Sequence, residues 1–400
     1  MKSCPLCKRL YEDNDAGFCP LDGRELESLD VAEIPTDPDD PMVGQSICDG
    51  RYQLWRVVAD GGMGRVYQGL DTELKRGVAV KVLHEDVARD AVAVERFKRE
   101  YAFSAKLPHE HIVEVLDFER TEDNSYALVM EYLEGEELRH YLQREKTISP
   151  AWLIRILSQL AIGLREPHKQ KLVHRDMKPD NIFLVHTPDG PRAQLLDFGS
   201  VRDNSEGAKK LTVVGTTIGS PFYMSPEQAQ GLPELDHRAD VWSLAAIAYE
   251  CLTGQVPFSG KTGPAILLAI LGYEPSPPST LKPTSADAPP VPEAVDDIML
   301  EGLAKDASVR IASVAELADR FGAAYGLAGD HLEWSYVPAE TLASRIAEGP
   351  EPGVATAASA TEKIVDSSGN TIRRDIPVPA PAAGTPPETE ADADYFNDED

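Results

Sequence analysis

His174-Arg175-Asp176-Met177-Lys178-Pro179-Asp180-Asn181 is followed, sixteen positions after Asn181, by Asp197-Phe198-Gly199. The first stretch sets an acid, a lysine and an amide at short fixed spacing. The second adds another acid after what reads as a short hairpin. Carboxylates and an amide carbonyl are oxygen donors suited to a hard divalent cation, and a lysine beside them suits a phosphate as a compact point charge. A solvated turn accounts for any one of these residues, but not for all of them at this spacing.

Upstream, Ala59-Asp60-Gly61-Gly62-Met63-Gly64-Arg65-Val66 lies between two strand-like runs. Glycines let a backbone approach phosphates without a Cβ clash, although most glycine clusters are plain turns. Seventeen residues past Gly64, Val78-Ala79-Val80-Lys81 sets a lysine among apolar neighbours on a strand expected to be buried. An unpaired ammonium is expensive there, so Lys81 needs anionic partners.

The texture of the chain changes around these motifs. Residues 52–130 hold short runs of β type: Tyr52 to Val58, Gly64 to Leu70, Val78 to Leu83, Val113 to Phe118 and Tyr126 to Met130, with one helical stretch from Val92 to Leu107. Beyond Gly135 the apolar periodicity is helical over 151–165, 239–253, 292–303 and 314–324. This predicts an α+β fold of two lobes, a β-rich one over 52–130 and a helical one over 134–325. Pro167 interrupts the first long helical pattern near its end and is expected to kink or stop it.

In these motifs the chain resembles the eukaryotic-like protein kinases, specifically a bacterial serine/threonine kinase, over about two-thirds of its length. The resemblance implies a two-lobed kinase fold that transfers the γ-phosphoryl group of ATP to Ser or Thr hydroxyls of protein substrates in bacterial signalling. It implies ATP and Mg2+ as cofactors, with Mn2+ as an alternative. Ala59 to Gly64 with Val66 would cover the phosphates, Ala59 replacing the family's first glycine. Lys81 would meet the phosphates and Glu100, whose plain alternative is a solvated helix face. Ala79, Met130, Glu131 and Leu133 would line the adenine pocket at the hinge between lobes. Asp176 would orient the acceptor hydroxyl, Lys178 would neutralise the transferring group, and Asn181 and Asp197 would hold magnesium. A lysine two places after Asp176 implies a serine/threonine preference. Glu227 would pair with Arg310, and Asp240 would brace the catalytic loop. Arg175 would meet a phosphate on the activation segment, Ser200 to Glu227, for which Thr212, Thr216 and Thr217 are the acceptors that the motif offers. Glu137 and Asp180 match acidic positions that meet an arginine in basic-directed members, or else are two solvated carboxylates.

The flanks differ in composition. Of the net charge of −28, residues 1–50 carry −8 and residues 326–400 carry −11, leaving −9 for the 275 residues between. The acidic, Pro- and Ala-rich stretch 326–400 lacks the apolar content to offset ordering entropy and is expected to be a mostly disordered tail, with a weakly helical stretch from Ala339 to Glu348 that packs either on the preceding domain or on nothing. Residues 29–46, rich in Pro and Asp, read as an extended linker. Residues 1–28 carry Cys4-Pro5-Leu6-Cys7 and Cys19-Pro20-Leu21-Asp22-Gly23, two knuckles eleven residues apart. Cys4, Cys7, Cys19 and Asp22 either hold a structural Zn2+ in a small ribbon or belong to a metal-free turn with reduced thiols. Such a module suits contact with a protein partner or autoinhibition, since its few bases sit among many acids. The negative field disfavours nucleic acid and anionic membrane. The longest apolar run, about twelve residues from Val241, contains Glu250 and is too short for a membrane span. Five cysteines without an export signal point to a reducing, cytoplasmic setting.

Overall fold

The computed structural model describes residues 2–3, 10–11, 17–19, 23–28, 40–104, 107–121, 124–187, 189–197, 221–282, 284, 289–349, 361–365 and 371–375. The chain divides into two units, Met1–Val354 and Ala355–Asp400. In the second unit β13 (Thr361–Val365) pairs antiparallel with β14 (Thr371–Asp375), within a stretch expected to hold no element; the rest of the expected disordered tail lies outside the described residues.

At the start of the first unit, β1 (Lys2–Ser3) pairs antiparallel with β2 (Leu10–Tyr11) and β3 (Glu27–Ser28). A bridge between Phe18 and Glu25 closes a tight turn in which Gly23 N–H donates to the Cys19 carbonyl at 2.8 Å, Gly23 taking φ +71°. Cys19 is buried, while Cys4, Cys7 and Asp22 lie outside the described residues. No cluster of three metal-binding side chains occurs among the described residues.

The β-rich lobe is a six-stranded antiparallel sheet in the order β4-β5-β6-β7-β9-β8, formed by Ser46–Ile47, Tyr52–Asp60, Gly64–Asp71, Arg76–Leu83, Tyr126–Glu131 and Val115–Arg120 respectively. The two-residue period of β7 sends Val78, Val80 and Val82 to one face, where they pack with Tyr52, Leu54 and Tyr67. It turns Ala79 and Lys81 the other way, to the cleft. Helix α1 (Glu85–Ala88) precedes α2 (Ala91–Ser104), which seals the second face through Phe97 and Val94 against Val115, Leu128 and Met130.

The linker expected over 29–46 is corrected here. From Asp40 onward the chain is packed on the sheet, with Val43 and Ile47 buried in the outer cluster. Asp40 is 4% exposed and accepts from the Tyr67 hydroxyl at 2.9 Å and from Arg65 at 2.7 Å. The Arg65 guanidinium and the turn amide of Met42 hold its carboxyl below the usual range against the burial that opposes ionisation. Residues 29–39 lie outside the described residues.

The helical lobe starts with the edge strand β10 (Gly135–Glu137) and α3 (Leu138–Glu145). Helix α4 (Pro150–Lys169) begins with Ser149 as N-cap and Pro150 in its first turn, and is buried along nearly its whole length. It runs through Pro167 for two further residues and ends at Gln170, so the expected break falls later than the proline. The lost N–H is one bond in a last turn that Gln170, Lys171 and Leu172 N–H groups close. Strands β11 (Ile182–Val185) and β12 (Arg192–Leu195) join β10 in a three-stranded sheet under the cleft. Short α5 (Pro226–Ala229) leads to α6 (Arg238–Thr253), buried all round from Val241 to Tyr249 and therefore the axis of the lobe. Around it lie α7 (Gly263–Gly272), α8 (Glu293–Gly302) and α9 (Val314–Ala324).

The packed body continues past 325, where composition placed the start of the tail. Helices α10 (His331–Trp334) and α11 (Ala339–Glu348) lie against α4. Trp334, 1% exposed, fills the space that Gly322 leaves open: a Cβ on Gly322 would stand 2.1 Å from the indole. The indole N–H donates to the Ala328 carbonyl at 3.0 Å. Buried Gln159 on α4 donates to the Ser335 carbonyl at 3.0 Å and accepts from the Ala193 N–H at 2.8 Å, tying this extension to β12. Among the described residues no helix is long and apolar enough to cross a membrane.

Candidate active site

A cleft of about 560 Å³ separates the lobes. Of the residues that the sequence assigned to it, Ala59, Val66, Ala79, Lys81, Met130, Glu131, Leu133, Asn181 and Asp197 line it. Val113, Phe183 and Leu196 line it too and were missed. Phe183 was legible: Ile182 and Leu184 are buried in the lobe below, so the strand alternation turns the residue between them toward the cleft.

Asp60 to Gly64 form the tip of the β5–β6 hairpin and do not line the cleft. Gly61 N–H donates to the Gly64 carbonyl at 3.1 Å, and His84 N–H donates to the Met63 carbonyl at 3.1 Å. Gly61 and Gly62 are exposed, but Gly64 is needed for packing: a Cβ there would lie 2.3 Å from the Val82 carbonyl oxygen on β7. Asp60 is bound by Arg65 Nε at 2.8 Å and by His84 at 3.0 Å. Arg65 therefore bridges Asp60 in the hairpin tip and Asp40 in the preceding segment.

The Lys81 ammonium is 3.3 Å from Asp197 Oδ2, with the Phe97 ring 5.6 Å away. Its other expected partner, Glu100, sits on α2, but the Glu100 side chain is outside the described residues. So are Phe198, Gly199, Thr212, Thr216 and Thr217.

The loop 174–181 is held from below. Asp240, fully buried on α6, accepts from the N–H of His174 and of Arg175, both at 2.9 Å, and from His168 Nε2 at 2.8 Å. Burial opposes its ionisation, yet His168 and these amides keep its carboxyl below the usual range. The Arg175 carbonyl accepts from Gln228 Nε2 at 2.6 Å, so both peptide groups around Arg175 are fixed. Arg175 needs this, because at φ +68° it occupies the left-handed region, which costs a non-glycine residue on the order of 1–3 kcal/mol. Gln228 is itself fixed by a reciprocal capping box with Ser225.

On that base the loop gathers its polar groups. Lys178 Nζ donates to Asp176 Oδ2 at 2.8 Å. Asn181 Nδ2 donates to the Asp176 carbonyl at 2.7 Å and to its Oδ2 at 3.2 Å. The amide nitrogen of Asn181 is thus committed to Asp176, and its Oδ1 is the atom it offers a cation. That oxygen and the Asp197 carboxylate belong to residues lining the same cleft, a donor set that fits a hard divalent ion. Behind the loop, Arg310 makes a two-pronged pair with Glu227 at 2.8 and 3.0 Å and is itself fully buried.

Comparison with known proteins agrees with this geometry. The protein kinase domain model matches residues 52–321. The chain is 37% identical over 280 residues to Serine/threonine-protein kinase pkn2 of Myxococcus xanthus, covering 70% of this chain and 33% of that protein. It is 35% identical over 265 residues to Serine/threonine-protein kinase PrkC of Bacillus subtilis, covering 66% and 39% respectively. It thus spans only about a third to a half of the length of such curated relatives. Among solved structures, a mutant PknI kinase domain from Mycobacterium tuberculosis shares the fold, with a TM-score of 0.54 at 24% identity, over 71% of this chain and 98% of that one.

Proposed function

Because the chain belongs to the protein kinase family, we propose that it transfers the γ-phosphoryl group of ATP to serine and threonine hydroxyls of proteins. The observation that carries the proposal is the hydrogen-bonded set Asp176, Lys178 and Asn181, on a loop braced by buried Asp240 and adjoining the cleft that holds Lys81 and Asp197.

Each residue takes a role that its position supports. Asp176 accepts or orients the acceptor hydroxyl proton, and Lys178, 2.8 Å from it, stabilises charge on the transferring group. Asn181 and Asp197 would hold magnesium, which when bound would supply charge to neutralise the phosphate oxygens. Lys81 fixes the phosphates from the roof, while Ala79, Met130, Glu131 and Leu133 form the adenine pocket under the hairpin Ala59–Val66. Autophosphorylation on Thr212, Thr216 or Thr217 would add a phosphate for Arg175 to bind.

The test is incorporation of labelled phosphate from ATP and magnesium by the whole chain beside Asp176→Asn, with sites mapped by mass spectrometry. Phosphate on those threonines in the parent and not in the variant is expected. No incorporation by folded, ATP-binding protein would overturn the proposal.

The finer reading of residues 1–28 is a zinc module that docks a protein partner, supported by the tight turn at Cys19–Gly23. Metal analysis should find ~1 zinc per chain, lost in Cys4→Ser and in Cys19→Ser; a metal-free parent would leave the plain turn. Cytoplasmic location, read from the cysteines, belongs to the same proposal.

A further inference from the structure

Three carboxylates stand close to the catalytic loop: Asp180 in the loop itself, Glu137 at the start of α3, and Glu250 on α6. Glu137 and Asp180 line the cleft, and both were singled out in the sequence as groups for a basic substrate residue. The side chain of Arg139 reaches between the other two. Its Nε donates to Asp180 Oδ2 at 3.4 Å and its Nη1 to Glu250 Oε1 at 2.9 Å. Its Nη2 donates to the Tyr223 hydroxyl, which donates onward to the second oxygen of Glu250. The guanidinium carbon is 5.7 Å from the centre of the Tyr223 ring. Burial opposes the charge on Arg139, but the phenol and carboxylate outweigh it and raise its pKa.

One guanidinium shared by two carboxylates and a phenol, over an aromatic ring, is the full set of contacts that an arginine from a bound peptide would seek. Here the chain supplies that arginine itself. Glu137 is not among its hydrogen-bond partners; burial pushes the Glu137 carboxyl up, with the nearby Asp180 charge adding to it.

We propose that Arg139 is an internal stand-in for a substrate arginine, occupying Asp180 and Glu250 so that the kinase takes acceptor segments with no basic residue ahead of the Ser or Thr. Arg139 is then a specificity-determining residue. This rests on the phosphotransfer reading above. A merely structural Arg139, clamping α3 to α6, would alter stability without altering peptide choice.

The test uses the whole chain and two fluorescein-labelled serine peptides, one with arginine at the positions just ahead of the acceptor and its twin with alanine there. Binding is followed by anisotropy with a non-hydrolysable ATP analogue and magnesium, and phosphorylation with ATP. The parent should bind the arginine peptide less than about threefold more tightly than its twin, and Arg139→Ala should raise that ratio to about tenfold or more. Adding Asp180→Asn to Arg139→Ala should bring the ratio back down. A parent that already discriminates tenfold, or a folded Arg139→Ala with an unchanged ratio, would overturn the proposal. Should Arg139→Ala not fold, Asp180→Asn alone in the parent must leave the ratio within about threefold, and a larger change also overturns it. Phosphorylation of either peptide with an unchanged binding ratio in Arg139→Ala would sink this inference alone, whereas the expected binding ratios without phosphorylation of either peptide would sink the phosphotransfer reading and leave Arg139 only as a residue that controls peptide binding.

Discussion

Replacing Trp334 by alanine tests whether the segment beyond the matched kinase domain is part of the folded body. The indole is 1% exposed, and Gly322 on α9 lies so close that even a methyl group there would meet the ring at 2.1 Å. Little can collapse into the space left behind, because Gly322 belongs to a helix whose other face is fixed in the core through Leu317 and Phe321. Truncating a buried tryptophan to alanine costs ~3–5 kcal/mol. The Ala328 carbonyl, which now accepts from the indole at 3.0 Å, loses its donor for ~1 kcal/mol more. For a body of this size each kcal/mol moves the melting point by roughly 2–4 °C, so a fall on the order of 10 °C is expected. Calorimetry of the whole chain reads this directly, beside a chain ending at Gly326. The loss from the point variant cannot exceed the loss from removing the segment. A melting point lowered by less than about 2 °C in both would refute the claim that α10 and α11 stabilise the lobe.

Asp240→Asn puts an amide against the Arg175 N–H, which now donates to Oδ1 at 2.9 Å; a stability loss of ~2–4 kcal/mol with a sharp drop in phosphate transfer is expected in urea melts and rate assays, and unchanged stability would rule out the brace. Glu227→Ala strands the fully buried Arg310 guanidinium and should cost ~3–5 kcal/mol; a loss under about 1 kcal/mol on unfolding would contradict it. His111, buried and donating from Nδ1 to the Ala193 carbonyl at 3.0 Å, has its pKa pushed down by burial from 6.5 to about 4. The unfolded chain therefore binds more protons between those values, and this contribution is whole above pH 6.5 and is lost as pH falls toward about 4. Its size is on the order of 3 kcal/mol, so His111→Gln should flatten the stability profile over that window; an equally steep profile would count against it.

Elements with a strong period could be read from the sequence because period alone decides them: alternation gave the strands from Tyr52 to Met130, and the helical repeat gave α4, α6, α8 and α9 within a few residues. The grouping of Asp176, Lys178 and Asn181 was legible because its parts are neighbours in the chain. What escaped depends on single distant contacts. Pro and Asp around Asp40 read as a spacer, and only Arg65 and Tyr67, brought near by the sheet, turn that aspartate into an anchor. Trp334 and Leu342 lie in a stretch whose apolar residues follow no sustained period and whose flank is rich in Pro, Ala and acid, so composition outweighed them. Helix α7 was missed for the opposite reason, since Gly263-Pro264-Ala265-Ile266-Leu267-Leu268 is apolar without a polar face to mark its phase. Nothing in Leu138-Arg139-His140 announces that its arginine turns inward to Glu250.

The Asp40–Arg65–Asp60 bridge separates two boundaries usually taken as one. The match to the kinase domain model begins at residue 52, and a chain cut there would keep every group proposed for catalysis. It would nonetheless release one end of the tether that holds the β5–β6 hairpin, leaving Arg65 to Asp60 alone in that bridge. The mechanical unit is therefore longer than the homologous one. Through Arg65 and Tyr67, both bound to Asp40, the segment ahead of the matched domain is tied directly to the β5–β6 hairpin. Enzymology on the minimal domain would then measure a slacker instrument than the one the full chain carries.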